Sequence, residues 1–443
     1  EILAEKSSEV EPQFLDYSKA IKTDKIGDKK VSFVENKYND IANVYFIFPF
    51  GNDHDKELGF ATQVLQYLGT DKMSAEELKK EFFKLGISND FRTSPDELRI
   101  VLTGLEENMP KGIALLKEWL QNAKPDQNVY ENNVKTVLES REIAKKDKAR
   151  IMTALGNYAK YGAVSRFTDV ISEERLKEIQ SEEMTEKIKD LLKMPYQIFF
   201  YGQDFLSFTE YSKIFVEDET FQIPPRKIYP EPATTGEVYF TDYDMVQTEM
   251  TKVAKGENVN VQNFGKINVF NEYFGRGLSS IVFQEIRESK SLAYSAYVSY
   301  AANNELDHPD YIMAYVGTQA NKLPLAIEAM DELMENLPQI PTQFSTAKKS
   351  ALKQISAGRI NRTNIFFSYL NLQKLGIDYD LRKDIYTEIE NLSLADLTDF
   401  YNLKLKPLKY NTAIIGKKEN LDSAEMEKMG NFRELSLTQI FGY

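Results

Sequence analysis

The sequence predicts an α+β fold written twice, as two homologous units that each carry a mainly antiparallel sheet with helices packed on one face. Three observations carry this expectation. A stretch of one half recurs in the other at a constant shift, strand-like segments precede a helical block in both halves, and a proline-rich segment lies between them.

The repeat begins at Met109-Pro110-Lys111-Gly112-Ile113, which reappears as Leu323-Pro324-Leu325-Ala326-Ile327, a shift of 214 positions from 110 to 324. The same shift carries Lys135 onto Lys349, Leu138 onto Leu352, Asn157 onto Asn371, Lys160 onto Lys374, Gly162 onto Gly376 and Gly202 onto Gly416. Insertions would push unrelated helices out of register, so two copies of about 210 residues are expected. Phe221–Gly236 holds four of the fifteen prolines, which discourage helix continuation and mark a semi-rigid linker. The expected partition is a first unit over 1–220, a linker over 221–236 and a second unit over 237–443.

Within the first unit, Lys30–Val34 and Ile41–Pro49 are rich in Val, Ile, Phe and Tyr and read as paired strands, followed by a turn at Gly51-Asn52-Asp53. Leu58, Ala61, Leu65 and Leu68 recur at helical spacing. Ser74 with Glu77 is a capping-box start to a second helix, and Gly86 stops it. Ser88–Thr93 and Glu97–Thr103 read as a hairpin around Ser-Pro-Asp; amphipathic helices follow from Asn108, Asp126 and Ala149, and an apolar strand Gln197–Tyr201 ends at Gly202. The second unit repeats the plan with strands near Val246–Val253, Tyr294–Ala302 and Tyr311–Val316, helices from Leu323 and Pro341, and a strand Tyr410–Ile415 ending at Gly416.

Composition narrows the chemistry. At 42% apolar and 28% charged residues, 443 residues suffice for two or three buried cores. Acidic residues outnumber basic ones 68 to 55, and no Lys/Arg stripe offsets the net charge of −13, so nucleic-acid binding is not expected. The apolar run Val44–Phe50 is far shorter than the roughly 20 residues of a membrane-spanning helix. No cysteine is present, which excludes thiol chemistry and Cys-ligated metals, and only His54 and His308 could supply imidazole. Both sit in polar turns, Asn52–Asp55 and Leu306–Asp310, where Asn and Asp serve the backbone, and each is expected to be a turn residue. Gly275 and Gly277 lack the following lysine of a phosphate loop. The chain begins at Glu1 without an initiator methionine or leader pattern and reads as a processed form or a piece of a longer protein.

The segment FGRGLSSIVFQEIRESKSLAYSAY, Phe274–Tyr297, together with the duplicated plan, resembles the pitrilysin/insulinase family of zinc metallopeptidases, and specifically its C-terminal, non-catalytic half. The resemblance implies a mitochondrial-processing-peptidase/insulinase-like fold and a clamshell enzyme in which this chain walls the peptide chamber. Its partner would be a catalytic half, on the same polypeptide or separate, bearing the H-x-x-E-H zinc motif. By position that motif falls here on Thr62, Leu65 and Gln66, and the family's third ligand on Glu139. A hydroxyl, an amide and one carboxylate do not make a zinc site, so no metal is expected in this chain and zinc only in the assembled enzyme. Glu139, with Arg141, Glu142 and Lys145, reads as a solvated helix face with i,i+4 ion pairs.

The resemblance further assigns Arg287 and Tyr294, seven residues apart, to peptide bound at the partner's zinc, and no catalytic residue to this chain alone. A guanidinium and a phenol can both donate hydrogen bonds to a substrate carbonyl or an oxyanion. Family members with this layout are often exported to the periplasm or cell envelope. The competing expectation is a catalytically inactive scaffold subunit, similar to the core proteins of respiratory complexes that share the fold.

Overall fold

The computed structural model describes residues 10–26, 29–205, 208, 222–421 and 423–443. Two six-stranded mixed sheets account for the strands. The first is ordered β1-β2-β6-β3-β5-β4, with β1 Lys22–Ile26, β2 Lys29–Glu35, β3 Ile41–Phe48, β4 Ile87–Thr93, β5 Leu98–Leu105 and β6 Gln197–Gly202. The second is ordered β12-β7-β11-β8-β10-β9, with β7 Glu237–Asp242, β8 Gln247–Asn258, β9 Ser295–Ala301, β10 Pro309–Gln319, β11 Asn411–Gly416 and β12 Asn431–Glu434. Five strands correspond one to one in order and direction. The sixth differs, since β1 joins β2 antiparallel whereas β12 joins β7 parallel.

The repeat predicts β6 and β11 at the same shift of 214, and both are central strands whose side chains are almost all buried on both faces. Their placement corrects one expectation. Lys30–Val34 and Ile41–Pro49 do not pair with each other, because β6 inserts between them, parallel to β2 and antiparallel to β3. The apolar QIFFYG run demands cover on both faces, which an edge position could not give. The Ser-Pro-Asp hairpin forms as expected between β4 and β5.

Helices α2 Leu58–Leu65, α3 Ala75–Lys84, α4 Met109–Asn122 and α5 Gln127–Ala144 bury Leu65, Phe82, Trp119 and Tyr130 against one face of the first sheet. Ser74 and Glu77 close the capping box predicted for α3. In the second unit the helices Leu323–Glu335, Pro341–Ala357 and Leu394–Lys404 cover the equivalent face.

The other face of each sheet is covered by the opposite unit. The helix Lys148–Tyr161 lays Ile151, Leu155 and Tyr158 on Tyr239, Val253, Tyr311, Ala413 and Ile415 of the second sheet. Its counterpart in the repeat, Asn364–Lys374, lays Phe366, Phe367 and Leu370 on Val34, Tyr45, Phe199 and Tyr201 of the first. Gly162 and Gly376, one repeat apart, follow these two helices with φ of 77° and 71°, a left-handed conformation that favours glycine.

Described residues 222–236 form neither helix nor strand, and Phe221 of the expected linker lies outside the described residues. Arg226 of this segment meets the buried carboxylate of Asp53 at 3.1 Å, and Arg166 clamps the same carboxylate through two bonds of 2.8 and 2.6 Å. Among the described residues no helix is long and apolar enough to cross a membrane.

Candidate functional site

The positions where a zinc motif would fall are occupied by structural side chains. Thr62 is buried and its hydroxyl donates to the Gly59 carbonyl at 2.9 Å, one turn back on α2. Leu65 is wholly within the first core, and Gln66 is exposed just beyond the helix. Glu139 is exposed on α5, 3.9 Å from Lys135 at i,i+4, while Glu142 pairs with Lys145 at 2.9 Å. These residues do not fit a zinc ion: one donor is committed to its own helix, one position is aliphatic, and Glu139 belongs to a solvated face. Among the described residues no group of three or more acidic or imidazole side chains could hold a metal.

His54 and His308 are turn residues, as expected. The His54 ring stacks on Phe50 and its Nδ1 accepts from the Gly51 amide at 3.1 Å. His308 lies in the loop between β9 and β10, 3.3 Å from Glu231 and 3.7 Å from Glu305.

Arg287 and Tyr294 flank a sharp change of chain direction. Phe283–Ser289 is a π-helical segment, with the Lys290 amide reaching back five residues to the Glu285 carbonyl at 3.0 Å. Such wide turns displace side chains from α-helical positions. Ser291 then adopts a positive φ of 50°, the Lys322 ammonium donates to its carbonyl at 3.1 Å, and the Tyr294 amide docks on the Gly317 carbonyl at 2.9 Å. Both side chains project outward, Arg287 with 45% of its side chain exposed and Tyr294 with 53% of the residue exposed.

The Arg287 guanidinium rests over the Phe283 ring at 4.8 Å and approaches Glu288 at 3.6 Å, leaving most of its five donors to solvent. The Tyr294 hydroxyl accepts a bond from the Gln319 amide at 2.9 Å, which fixes the ring without consuming the phenolic proton. Each side chain thus keeps hydrogen-bond donors toward solvent.

Sequence reasoning passed over the neighbours that shape this surface. Tyr297 on β9 stands directly opposite Tyr315 on β10, and their rings stack with centroids 5.1 Å apart. Burial raises the pKa of both phenols, helped at Tyr315 by the Glu249 carboxylate, so both remain protonated and uncharged at neutral pH. Arg276 bonds Ser299 on the same strand. The signal was present as the alternation Ser295, Tyr297, Ser299 against Ala296, Val298, Tyr300, which separates an outer face from a core face.

With this geometry in view, comparison with known proteins becomes decisive at one segment. Residues 174–350 match the family described as Peptidase M16 inactive domain. Over that stretch the chain is similar to the M16 inactive domains. The matched stretch contains Arg287, Tyr294 and Tyr297, and excludes Thr62, Leu65, Gln66 and Glu139. No curated protein matches the chain.

Solved structures share the fold of this chain. A peptidase M16 inactive domain from Pseudomonas fluorescens is 15% identical with a TM-score of 0.66, over 90% of this chain and 98% of the other. A conserved protein from Enterococcus faecalis V583 is 12% identical with a TM-score of 0.73, over 91% and 100%. The periplasmic protease PqqL from Escherichia coli is 10% identical with a TM-score of 0.67, over 93% of this chain but only 48% of PqqL. The chain thus spans about half of that protease.

Proposed function

We propose that this chain is the non-catalytic half of an M16 zinc peptidase, forming the wall of a chamber whose catalytic centre belongs to a partner half. The observation that carries this reading is the inactive-domain match over residues 174–350, which includes the exposed pair Arg287 and Tyr294. The half-length correspondence with PqqL supports a second half of comparable size. In the assembled enzyme, zinc held by that half supplies the activated water. Arg287 and Tyr294 bind and orient the peptide, donating hydrogen bonds to a carbonyl or to the oxyanion that develops from it.

The test is reconstitution with the H-x-x-E-H half encoded beside or upstream of this chain. Arg287→Ala and Tyr294→Phe should each lower kcat/KM by about 10²-fold, as loss of an oxyanion donor does elsewhere. Their thermal unfolding should match the unsubstituted chain, since both side chains are largely solvated. Unchanged turnover in both variants would remove the assigned role.

A further inference from the structure

We infer that Tyr297 and Tyr315 form a subsite for an aromatic side chain of the peptide, in a segment that also carries carboxylates; this rests on the reading that peptide reaches Tyr294. The two rings lie on the outer face of the second sheet, the face whose β7, β11 and β8 portion is covered by the helix Lys148–Tyr161. Tyr297 retains 37% exposure, although it pairs with a strand that is otherwise largely buried. The Tyr315 hydroxyl leans along its strand toward Gly317, where a Cβ would come within 3.0 Å of it. Glycine there lets the ring lie flat along the ladder. The ladder then continues through Gln319, whose amide holds the Tyr294 phenol. Stacked phenols and the Tyr294 donor thus occupy one continuous strip.

The edge of the sheet tells the same peptide where it cannot go. Tyr300 of β9 directs its amide and carbonyl away from β10, and the single side-chain amide of Asn271 satisfies both, at 2.8 and 3.0 Å. The Gly275 backbone closes on the Val298 carbonyl, leaving no room even for a Cβ. This part of β9 is sealed against an added strand. At Tyr300 and Val298 a peptide thus gains no strand-pairing edge, whereas the ring of Tyr297 stays accessible on the face.

Charge selects its neighbours. Glu249, whose carboxylate acts on both rings, is paired with Lys148 at 2.6 Å, while Arg276, bonded to Ser299 on the same strand, stands exposed beside them. Arg276 thus sets a positive charge beside the rings despite the net charge of −13 of the whole chain. An offset-stacked aromatic residue flanked by Asp or Glu matches both features.

The experiment needs no catalytic half. Fluorescence anisotropy would measure binding of the full chain to a labelled decapeptide with one Phe between two Asp residues, and to the same peptide with Ala in place of Phe. The Phe peptide should bind about fivefold more tightly, the scale of one aromatic pair. Tyr297→Ala should abolish the difference, Tyr297→Phe should keep it, and Arg276→Ala should keep it while weakening both peptides. Equal affinity for the two peptides, including no measurable binding of either, overturns the inference, as does a preference that survives Tyr297→Ala. A chain that discriminates the peptides yet adds nothing to turnover on reconstitution would instead sink the proposed function alone.

Discussion

Phe366 and Phe199, which come from opposite halves of the chain, stack with ring centroids 4.0 Å apart and planes 17° from parallel. Phe199 belongs to the central strand of the first sheet and Phe366 to the helix that the second unit lends to it. Both are buried to within 2%. Truncation of either to Ala should cost about 3–5 kcal/mol, read as a lower denaturation midpoint. Phe83→Ala, on an exposed helix face, should leave the midpoint unchanged.

Asp53 supplies a second test of how the halves are joined. Its carboxylate is buried between Arg166 and Arg226, so removing it strands two guanidinium groups. Because both guanidinium groups keep access to solvent, Asp53→Ala should destabilise by about 2 kcal/mol, the scale of a charge-assisted hydrogen bond. It should also speed hydrogen exchange across residues 222–236, because Arg226 loses its anchor there.

Lys160 and Lys374, one repeat apart, should respond oppositely to alkali. Burial lowers the Lys160 pKa from its ordinary 10.5 to about 8, although its ammonium lies 3.7 Å from the Tyr311 ring centre and regains part of the loss. The folded chain then gives up this proton first, so its contribution to stability rises between about pH 8 and 10.5. Lys160→Met should remove that rise, measured as the difference in unfolding free energy from the unsubstituted chain across this range.

At Lys374, burial also works against the charge, but Asp96 at 2.7 Å and Glu305 at 3.3 Å prevail and raise the pKa. Its stabilisation is complete below the unfolded value of 10.5 and fades as pH climbs through the higher folded value. Lys374→Met should therefore cost most at neutral pH, with the cost shrinking in strong alkali.

Writing the missing motif back into α2 should fail. A Thr62→His, Leu65→Glu, Gln66→His variant places a carboxyl where Leu65 is fully enclosed by the first core. The burial penalty of several kcal/mol predicts loss of cooperative unfolding rather than gain of zinc. For the unsubstituted chain, elemental analysis should find no stoichiometric zinc, and one tightly bound ion per chain would overturn that expectation.

Much of the fold was legible in the sequence because duplication leaves a positional record. The shift of 214 locates Gly162 against Gly376 and β6 against β11 without any propensity argument. What escaped was non-local. No window containing Lys30–Val34 and Ile41–Phe48 reveals that Ile198–Tyr201 separates them, since strand pairing is set by the whole sheet. The helix Lys148–Tyr161 announced itself as amphipathic, whereas Asn364–Lys374 was not singled out, and an apolar stripe does not in any case name the sheet it covers. At the site, Arg287 and Tyr294 stood out through resemblance, whereas Tyr297 became visible only once its register against Tyr315 was known.

The helix exchange makes each repeat hostage to its twin. Severing the chain within 222–236 would uncover Tyr45, Phe199 and Tyr201 on one fragment and Tyr239, Tyr311 and Ile415 on the other, so neither would persist as a soluble monomer, while the two fragments supplied together should re-form the intact body. Once such an interdependence is fixed, neither copy can be discarded without baring the sheet of the other.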